Sequence, residues 1–227
     1  MTTVLFWDID GTLIDSKGAG RMALEKAARS LTNKQQDLSQ IPLAGMTDWS
    51  ICLAILAKIG IAPHPDNIAS LHKLYLQYLP STLAATQGQA IAGVKEILQA
   101  LTSRDDVFSL LLTGNSEAGA WQKLAFYGLD NFFSEGGFCQ STQDRKAIAF
   151  QALSVAEKKL GSIERNKCFI LGDTPHDIAC GKAIGAKTIT LASPTYPPSI
   201  LLAHDSWLVW QHYPQPATFL KSIGLIH

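Results

Sequence analysis

Four aspartates follow two short apolar segments of the chain, in positions where a carboxylate can do chemistry. They are Asp8, Asp10, Asp173 and Asp177. The apolar segments, residues 4–7 and 168–171, are typical of strands that are buried on both faces of a parallel sheet. Ligands bind beyond the carboxyl ends of such strands, and an unpaired charge beside an apolar strand is unfavourable. The pattern predicts solvated, paired or metal-bound carboxylates, and the alternative is a pair of turns in which Asp only ends each strand.

A third apolar strand, predicted at residues 107–112, ends in Thr113, Gly114 and Asn115. Ser116 can cap the helix that follows, and the free backbone N–H groups of a helix N-terminus form a natural anion site. An ordinary strand–turn–helix junction is the alternative interpretation. The ends of three parallel strands would bring these residues and the aspartates to one crevice.

A cation is expected in that crevice because the carboxylates would otherwise repel one another. Two like charges 4 Å apart repel by about 4 kcal/mol at an intermediate dielectric. Mg²⁺ suits the site, since it prefers a few carboxylates together with water and phosphate oxygens. The sequence therefore predicts Mg²⁺ at a cluster of Asp8, Asp10 and Asp173.

The elements that must position these residues alternate between helix and strand. Apolar runs predict further strands at residues 187–191 and, at an edge, 206–210. Helical spacing predicts the connecting helices, at residues 94–101, 116–127, 146–160 and 178–184. This alternation predicts an α/β fold with a doubly wound parallel sheet and right-handed crossovers.

Residues 16–87 interrupt the alternation and predict an all-helical insertion after the first strand. Three stripes of apolar residues recur there at helical spacing. Asp66 or Asn67 is predicted to cap the third helix, and Pro80 to end it. Periodicity alone leaves open whether these helices pack into the main core instead.

Balanced charge and an apolar composition argue against several classes of protein. The 19 Lys and Arg equal the 19 Asp and Glu, so no net field attracts nucleic acid or an anionic membrane. No apolar run is long enough to span a membrane, and the start of the chain lacks a signal-peptide pattern. We expect a globular cytoplasmic protein. The separated cysteines predict buried thiols rather than a zinc site: Cys52, Cys139, Cys168 and Cys180.

Three segments resemble motifs of the haloacid dehalogenase-like (HAD) hydrolase superfamily. D-I-D-G-T-L-I-D-S, at residues 8–16, resembles the first motif, and G-D-T-P-H-D-I, at residues 172–178, resembles the fourth. L-L-T-G-N-S, at residues 111–116, is similar to the form of the second motif in phosphatase members. The resemblance covers nearly the whole chain, and its structural context is what tests it.

The resemblance implies a Rossmann-like core with a helical cap of the C1 type. The core domain would comprise residues 1–15 and 88–227, and the cap domain residues 16–87. A lid of this kind excludes water and contacts the leaving group. Within it, Thr47 and Asp48 belong to a loop that resembles one in phosphoglycolate phosphatase-like members. They are therefore candidates for substrate contact or, alternatively, for helix capping.

The resemblance also implies a Mg²⁺-dependent phosphatase that acts on a small phosphorylated metabolite. Asp8 would attack phosphorus to form an aspartyl-phosphate, and Asp10 would act as general acid and then as general base. Thr113 would hold the phosphoryl oxygens, with Gly114 and Asn115 as further substrate contacts.

The same resemblance assigns the metal site to four aspartates. Asp8, the backbone carbonyl of Asp10 and Asp173 would bind Mg²⁺. Asp177 would orient the ligands around the ion.

The phosphate-binding cation is open between two neighbouring residues. The family places a Lys or Arg at the start of the helix before the fourth motif, where it neutralises charge on the phosphoryl group. Arg145 and Lys146 both qualify here, because the usual K-P-x-P context is absent. At least one of them is expected to be a solvated residue of the helix start.

Three alternative functions follow from the same residues. A phosphosugar mutase of the same family would share the catalytic groups, and a receiver-like signalling module would be phosphorylated on Asp without a substrate of its own. The receiver is disfavoured because it does not need the helical insertion. A dehalogenase is disfavoured because Asp10 would have no leaving alcohol to protonate. The sequence carries no indication of oligomeric state.

Overall fold

Parallel strands form the central sheet in the computed structural model, which describes residues 2–141 and 144–226. The strands in chain order are β1 (Thr3–Trp7), β2 (Ile14–Asp15), β3 (Gln89–Ala90), β4 (Val107–Leu112), β5 (Gly136–Gly137), β6 (Cys168–Gly172), β7 (Lys187–Leu191) and β8 (Leu208–Trp210). The sheet has the order β5-β4-β1-β6-β7-β8, and each neighbouring pair in it is parallel. The predicted α/β fold with a parallel sheet is confirmed.

Strand β1 lies at the centre of this order, between β4 and β6. Its Phe6 is in register with Leu110 on one side and with Ile170 on the other. The three strands therefore end at the same edge of the sheet, and the turns that follow them are neighbours. This topology is what brings the predicted site residues together.

Helices cover both faces of the sheet. In chain order they are α1 (Ala19–Thr32), α2 (Asp48–Lys58), α3 (Pro65–Ala85), α4 (Val94–Thr102), α5 (Glu117–Tyr127), α6 (Arg145–Leu160), α7 (Pro175–Ile184), α8 (Pro198–Ala203) and α9 (Pro216–Ser222). Val4 and Phe6 of β1 face a hydrophobic cluster with α6 and α7. Leu5 and Trp7 face the opposite cluster, which includes α4, α5 and α9. The alternation of a pleated strand thus buries β1 completely, as its continuous apolar sequence predicts.

Helices α1, α2 and α3 form the insertion, which leaves and re-enters the core through a two-stranded antiparallel pair. In that pair Ile14 is opposite Ala90, and Asp15 is opposite Gln89. Helix α1 packs on α3, and α3 also contacts α5 of the core. The division of the chain into a core and a cap domain of residues 16–87 stays a prediction.

Helix α3 differs from the sequence prediction at its C-terminal half, because Pro80 does not end it. The helix continues to Ala85 with Pro80 inside. Proline removes the hydrogen bond to the carbonyl of Leu76, but Pro80 is exposed, so water can reach this turn. Leu79 and Leu83 are buried on either side, and their packing outweighs the local cost.

The start of α3 was also predicted wrongly. The helix begins at Pro65 with His64 as its N-cap, so neither Asp66 nor Asn67 caps it. Proline is favourable at a first helical position, where its missing N–H would have no helical partner. Asn67 instead donates a hydrogen bond from its side chain to the carbonyl of Ala62, at 2.8 Å.

The buried cysteines agree with prediction, and all four lie inside the fold. Strand β5 was not predicted, because two glycines carry no strand pattern. Among the helices of residues 2–141 and 144–226, none is long and apolar enough to cross a membrane.

Candidate active site

The turn after β1 places Asp8 and Gly11 against the end of β6. The backbone N–H of Asp8 donates to the carbonyl of Leu171 at 2.9 Å, so the ladder between β1 and β6 continues to the first acid. Gly11 has a φ of +79°, which favours glycine. A β-carbon at this position would also overlap the carboxylate of Asp173. Glycine is therefore required twice here, for its backbone conformation and for the close approach of the two turns.

Three carboxylates meet at the centre of the site. Asp8, Asp173 and Asp177 each offer an oxygen, and these atoms lie within 4.8 Å of one another. Burial raises the pKa of Asp8 to about 6; Arg145 opposes this rise, and Asp177 and Asp10 add to it. Burial, and then the charges of Asp177 and Asp8, raise the pKa of Asp173 well above its usual value.

This cluster has the chemistry of a site for a hard divalent cation. Oδ1 of Asp173 is buried and has no hydrogen-bond partner among the residues that the structure describes. A buried carboxylate oxygen without a donor is costly, and a bound cation would satisfy it. Carboxylate oxygens are also the ligands that Mg²⁺ prefers. The residues present therefore fit the predicted metal.

Asp177 differs from the other two acids because most of its hydrogen-bonding capacity is already used. Its Oδ2 accepts hydrogen bonds from the backbone N–H and hydroxyl of Thr174, at 3.0 and 2.8 Å, and from the N–H of Asp173 at 3.2 Å. Thr174 and Asp177 form a capping box at the start of α7. Asp177 thereby fixes the backbone that carries Asp173, which agrees with an orienting role.

Arg145, at the first position of α6, supplies a buried positive charge. Its Nη2 lies 2.5 Å from Oδ1 of Asp177 and 3.3 Å from Oδ2 of Asp8. Burial alone would lower the pKa of Arg145, but the charges of Asp177 and Asp8 raise it above its usual value. Lys146 is exposed, and its backbone N–H donates to the side chain of Asp144 at 2.8 Å. The geometry thus favours Arg145 over Lys146 as the cation of the site.

The Asp10 side chain was predicted in the acid cluster but is not part of it, and Asp177 is there instead. Its Oδ2 accepts hydrogen bonds from Nζ of Lys123 at 2.6 Å and from Nδ2 of Asn115 at 2.9 Å. Nδ2 of Asn115 also lies 2.8 Å from the Thr113 hydroxyl, and Oδ1 of Asn115 accepts from Lys123 at 2.6 Å. Asp10, Thr113 and Asn115 therefore belong to one network, as their places at two neighbouring strand ends predict.

Lys123 was missed from the sequence, although it is buried in the centre of this network. It lies on α5, two helical turns beyond Asn115. The available signal was its position beside Ala120 and Leu124, which form the buried stripe of that helix. A lysine on an apolar stripe is expensive to bury, so it indicates an acidic partner.

Thr47 and Asp48 connect the insertion to the core. The Thr47 hydroxyl accepts from the backbone N–H of Ser50 at 3.1 Å and caps α2. Oδ2 of Asp48 accepts from the backbone N–H of Ser116 at 2.8 Å, and its own N–H donates to the carbonyl of Gly114 at 2.8 Å. Asp48 thus occupies one of the backbone donors at the start of α5 that were predicted to bind an anion.

His72 adds a side-chain contact at the same junction. Its Nε2 lies 2.8 Å from the hydroxyl of Ser116 and 3.6 Å from Oδ2 of Asp48. Burial alone would raise the pKa of Asp48, but the nearby imidazole of His72 and the charge of Lys123 hold it below its usual value. Asp48 is therefore a carboxylate that ties two parts of the fold together, and it also borders the cavity described next.

A cavity of about 270 Å³ lies between the strand ends and the insertion. Its core side carries the predicted catalytic groups, including Asp8, Asp10, Thr113, Arg145 and Asp173. The insertion contributes apolar residues and two charged ones, namely Leu24, Leu43, Met46, Ile51, Tyr75, Arg21 and Asp48. The site can therefore hold a small charged molecule.

Comparison with known proteins agrees with this arrangement. A family model described as haloacid dehalogenase-like hydrolase matches residues 4–191. No curated protein matches the chain.

Solved structures with the same fold cover almost the whole chain. CbbY from Rhodobacter sphaeroides, in complex with xylulose-(1,5)bisphosphate, has a TM-score of 0.75 at 14% identity, over 93% of this chain and 95% of that chain. A predicted phosphoglycolate phosphatase from Haemophilus somnus has a TM-score of 0.72 at 17% identity, with 97% of each chain covered. A hydrolase from Pseudomonas syringae has a TM-score of 0.69 at 22% identity, over 100% of this chain and 99% of that chain.

Proposed function

The chain belongs to the haloacid dehalogenase-like hydrolase family, and from that premise we propose that it is a Mg²⁺-dependent phosphatase for small phosphorylated metabolites. One observation carries the proposal: Asp8 lies beside both the cation of Arg145 and the acid of Asp173, at the wall of the cavity. A carboxylate beside two sites for positive charge can meet a phosphate, whose own charge would otherwise repel it.

Asp8 is the proposed nucleophile. Its carboxylate oxygen forms a bond to phosphorus while the bond between phosphorus and the leaving oxygen breaks, which gives an aspartyl-phosphate. With a pKa of about 6 the group is ionised, and therefore nucleophilic, at neutral pH. Arg145 donates hydrogen bonds to the phosphoryl oxygens, where a guanidinium binds well.

Asp10 is the proposed acid and base. It gives a proton to the leaving oxygen, and it then takes a proton from the water that hydrolyses the aspartyl-phosphate, so its protonation state is restored. Thr113, and the neighbouring turn of Gly114 and Asn115, contact the transferred group. Gly114 has no room for a side chain because the carbonyl of Met46 approaches it closely.

Asp8 and Asp173 would hold the metal, together with the backbone carbonyl of Asp10. Mg²⁺, when bound, neutralises charge on the phosphoryl oxygens and on the two carboxylates. Asp177 would keep Asp173 in place through the hydrogen bonds of the α7 capping box.

The cavity limits the proposed substrate to a small molecule. Its volume of about 270 Å³ has to contain the phosphate as well as the leaving group. One structurally similar protein, CbbY from Rhodobacter sphaeroides, was crystallised with a sugar bisphosphate, so sugar phosphates and phosphorylated short acids belong in the first test.

A screen of phosphorylated metabolites with Mg²⁺ tests the proposal, with free phosphate as the readout. We expect release of phosphate from at least one small phosphate ester, and loss of that release with excess chelator. Isomerisation of a sugar phosphate without release of phosphate would favour a mutase. Labelling by acetyl phosphate that persists for many minutes, without turnover of any ester, would favour a receiver-like module.

Asp173→Asn tests the metal site directly. Because a direct ligand of the metal is lost, the Mg²⁺ concentration for half-maximal activity should rise by at least about tenfold. Calorimetric titration of Mg²⁺ without substrate should show the same weakening, while the melting temperature in chelator should not fall, because one buried charge is removed. Asp105→Asn, at an exposed position, is the control and should titrate like the wild type. An unchanged Mg²⁺ titration in Asp173→Asn would remove this residue from the metal site.

A further inference from the structure

Lys123 has no role in the mechanism above, yet it is one of the most enclosed charges of the site. Its side chain is 5% exposed, while the Asp10 side chain that it contacts is 44% exposed. An ammonium group loses much of its hydration when it is buried, so a lysine is kept inside a fold only where acceptors replace that water. Here Oδ2 of Asp10 and Oδ1 of Asn115 are the acceptors, both at 2.6 Å.

We propose that Lys123 is a positioning residue that orients the Asp10 carboxylate toward the leaving group. The inference rests on the proposed phosphatase function. Lys123 and Asn115 both donate to Oδ2 of Asp10, and this leaves Oδ1 without a hydrogen-bond donor within residues 2–141 and 144–226. Because Asp10 borders the cavity, Oδ1 is the oxygen that can exchange a proton with a bound substrate.

Lys123 also determines which way the Asn115 side chain faces. An amide presents either its oxygen or its nitrogen, and the neighbouring groups decide which one. The ammonium group of Lys123 only donates, so it holds the oxygen of Asn115. The nitrogen of Asn115 must then face Asp10 and Thr113, which are 2.9 and 2.8 Å away. One buried lysine thereby orders the general acid and the phosphate-binding turn together.

This role differs from that of Arg145, because the two cations lie on different acids. Arg145 pairs with the nucleophile Asp8 and with Asp177, whereas Lys123 pairs with Asp10. Loss of Arg145 should weaken reaction with every phosphate ester. Loss of Lys123 should matter most where the leaving oxygen needs a proton.

Two aryl phosphates separate these cases. Phenyl phosphate has a poor leaving group that needs proton donation, whereas p-nitrophenolate leaves without it. We expect Lys123→Met to lower kcat/KM for phenyl phosphate by about 100-fold, the usual contribution of general acid catalysis, and for p-nitrophenyl phosphate by less than about tenfold. Because kcat/KM covers only the steps through aspartyl-phosphate formation, later hydrolysis does not affect the comparison.

The control variant is Lys182→Met, at an exposed lysine of α7 that pairs with Asp205 on the surface. This variant should leave kcat/KM unchanged for both substrates. Far-ultraviolet circular dichroism and the melting temperature establish that Lys123→Met is folded. If it is not, Lys123→Gln replaces it, since glutamine is polar but shorter and uncharged. The loss in kcat/KM for phenyl phosphate should again exceed the loss for p-nitrophenyl phosphate.

A double-mutant cycle tests whether Lys123 acts through Asp10. In the Asp10→Asn background, Lys123→Met should change the ratio of the two kcat/KM values by less than about twofold, because the group that it orients is gone. Equal losses for the two substrates in the single variant, or no loss for either, would overturn the proposal. If the wild type hydrolyses neither ester nor any metabolite, the phosphatase function itself fails, and that outcome precedes any result on Lys123.

Discussion

Asp8→Asn should lower the release of phosphate by at least about a thousandfold, because an amide is not a nucleophile toward phosphorus. The change is nearly isosteric, and the 2.9 Å hydrogen bond from the backbone of residue 8 to the carbonyl of Leu171 does not involve the side chain. Arg145 keeps its contact with Asp177. We therefore expect a folded protein without phosphatase activity. The assay uses any phosphate ester that the wild type hydrolyses.

The same variant should be more stable than the wild type when no metal is present. A pKa of about 6 in place of 3.8 means that ionising Asp8 costs the folded state about 3 kcal/mol. Between these two values the unfolded state has lost the proton of Asp8 and the folded state has kept it. Stability therefore falls as the pH rises through this window, and the whole cost is present above it. Asparagine does not titrate and escapes this cost.

Urea denaturation in chelator at pH 4.5 and at pH 7.5 measures the effect. The difference in unfolding free energy between Asp8→Asn and the wild type should be larger at pH 7.5, by about 2 kcal/mol, because about 1 kcal/mol of the cost is already present at pH 4.5. Asp205→Asn is the control, since Asp205 is exposed and has a φ of +66° that asparagine tolerates. Near-wild-type turnover by Asp8→Asn would refute the role of Asp8 as nucleophile. A stability difference that shrinks with rising pH would refute the raised pKa of Asp8.

The arrangement of the acids could be predicted from the sequence because it follows from topology. Once residues 4–7 and 168–171 are taken as buried parallel strands, their carboxyl ends lie at one edge. The acids meet only if these two strands are also neighbours in the sheet. The resemblance of the motifs implied this arrangement, and the strand order shows it. Gly11 is needed for the same arrangement, because the turn after β1 can approach Asp173 only if residue 11 has no side chain.

The partners of the site residues could not be predicted, because they come from positions far apart in the chain. Lys123 and Asp10 are 113 residues apart, and His72 and Ser116 are 44 apart. A helical stripe shows which residues of a helix are buried, but it does not show which strand end that face meets. Arg145 and Lys146 illustrate the same limit, since only the direction of the first turn of α6 separates a buried cation from an exposed one.

The prediction that Pro80 ends α3 was wrong because tertiary packing stabilises the helix by more than the proline destabilises it. Pro80 lacks one hydrogen bond, yet Leu79, Thr82 and Leu83 are buried around it and hold α3 together. A proline inside a helix costs roughly 3 kcal/mol, whereas burial of the two leucines together contributes roughly 3–6 kcal/mol. The helix therefore continues through the proline.

Arg145→Met and Lys146→Met should have very different effects although the residues are adjacent. Removing Arg145 leaves Asp8 and Asp177 without their shared cation, and breaking a buried pair in this way costs about 3–5 kcal/mol. Lys146 is exposed, so its loss should change stability by less than about 0.5 kcal/mol. Urea denaturation of both variants in chelator gives the two values.

Enzyme activity should also fall much more in Arg145→Met than in Lys146→Met. Without Arg145 the phosphoryl group loses a charged donor, and kcat/KM should fall at least about a hundredfold, whereas Lys146→Met should remain near the wild type. Mg²⁺ should restore part of the stability of Arg145→Met, because an ion bound at Asp8 and Asp173 would neutralise charge that the arginine no longer balances. Where Arg145→Met does not fold, Arg145→Lys keeps the charge but lacks the planar guanidinium, whose Nη2 contacts both carboxylates, and it should lose activity while remaining folded. A larger loss in Lys146→Met than in either Arg145 variant would mean that the exposed lysine, and not the buried arginine, binds the phosphate.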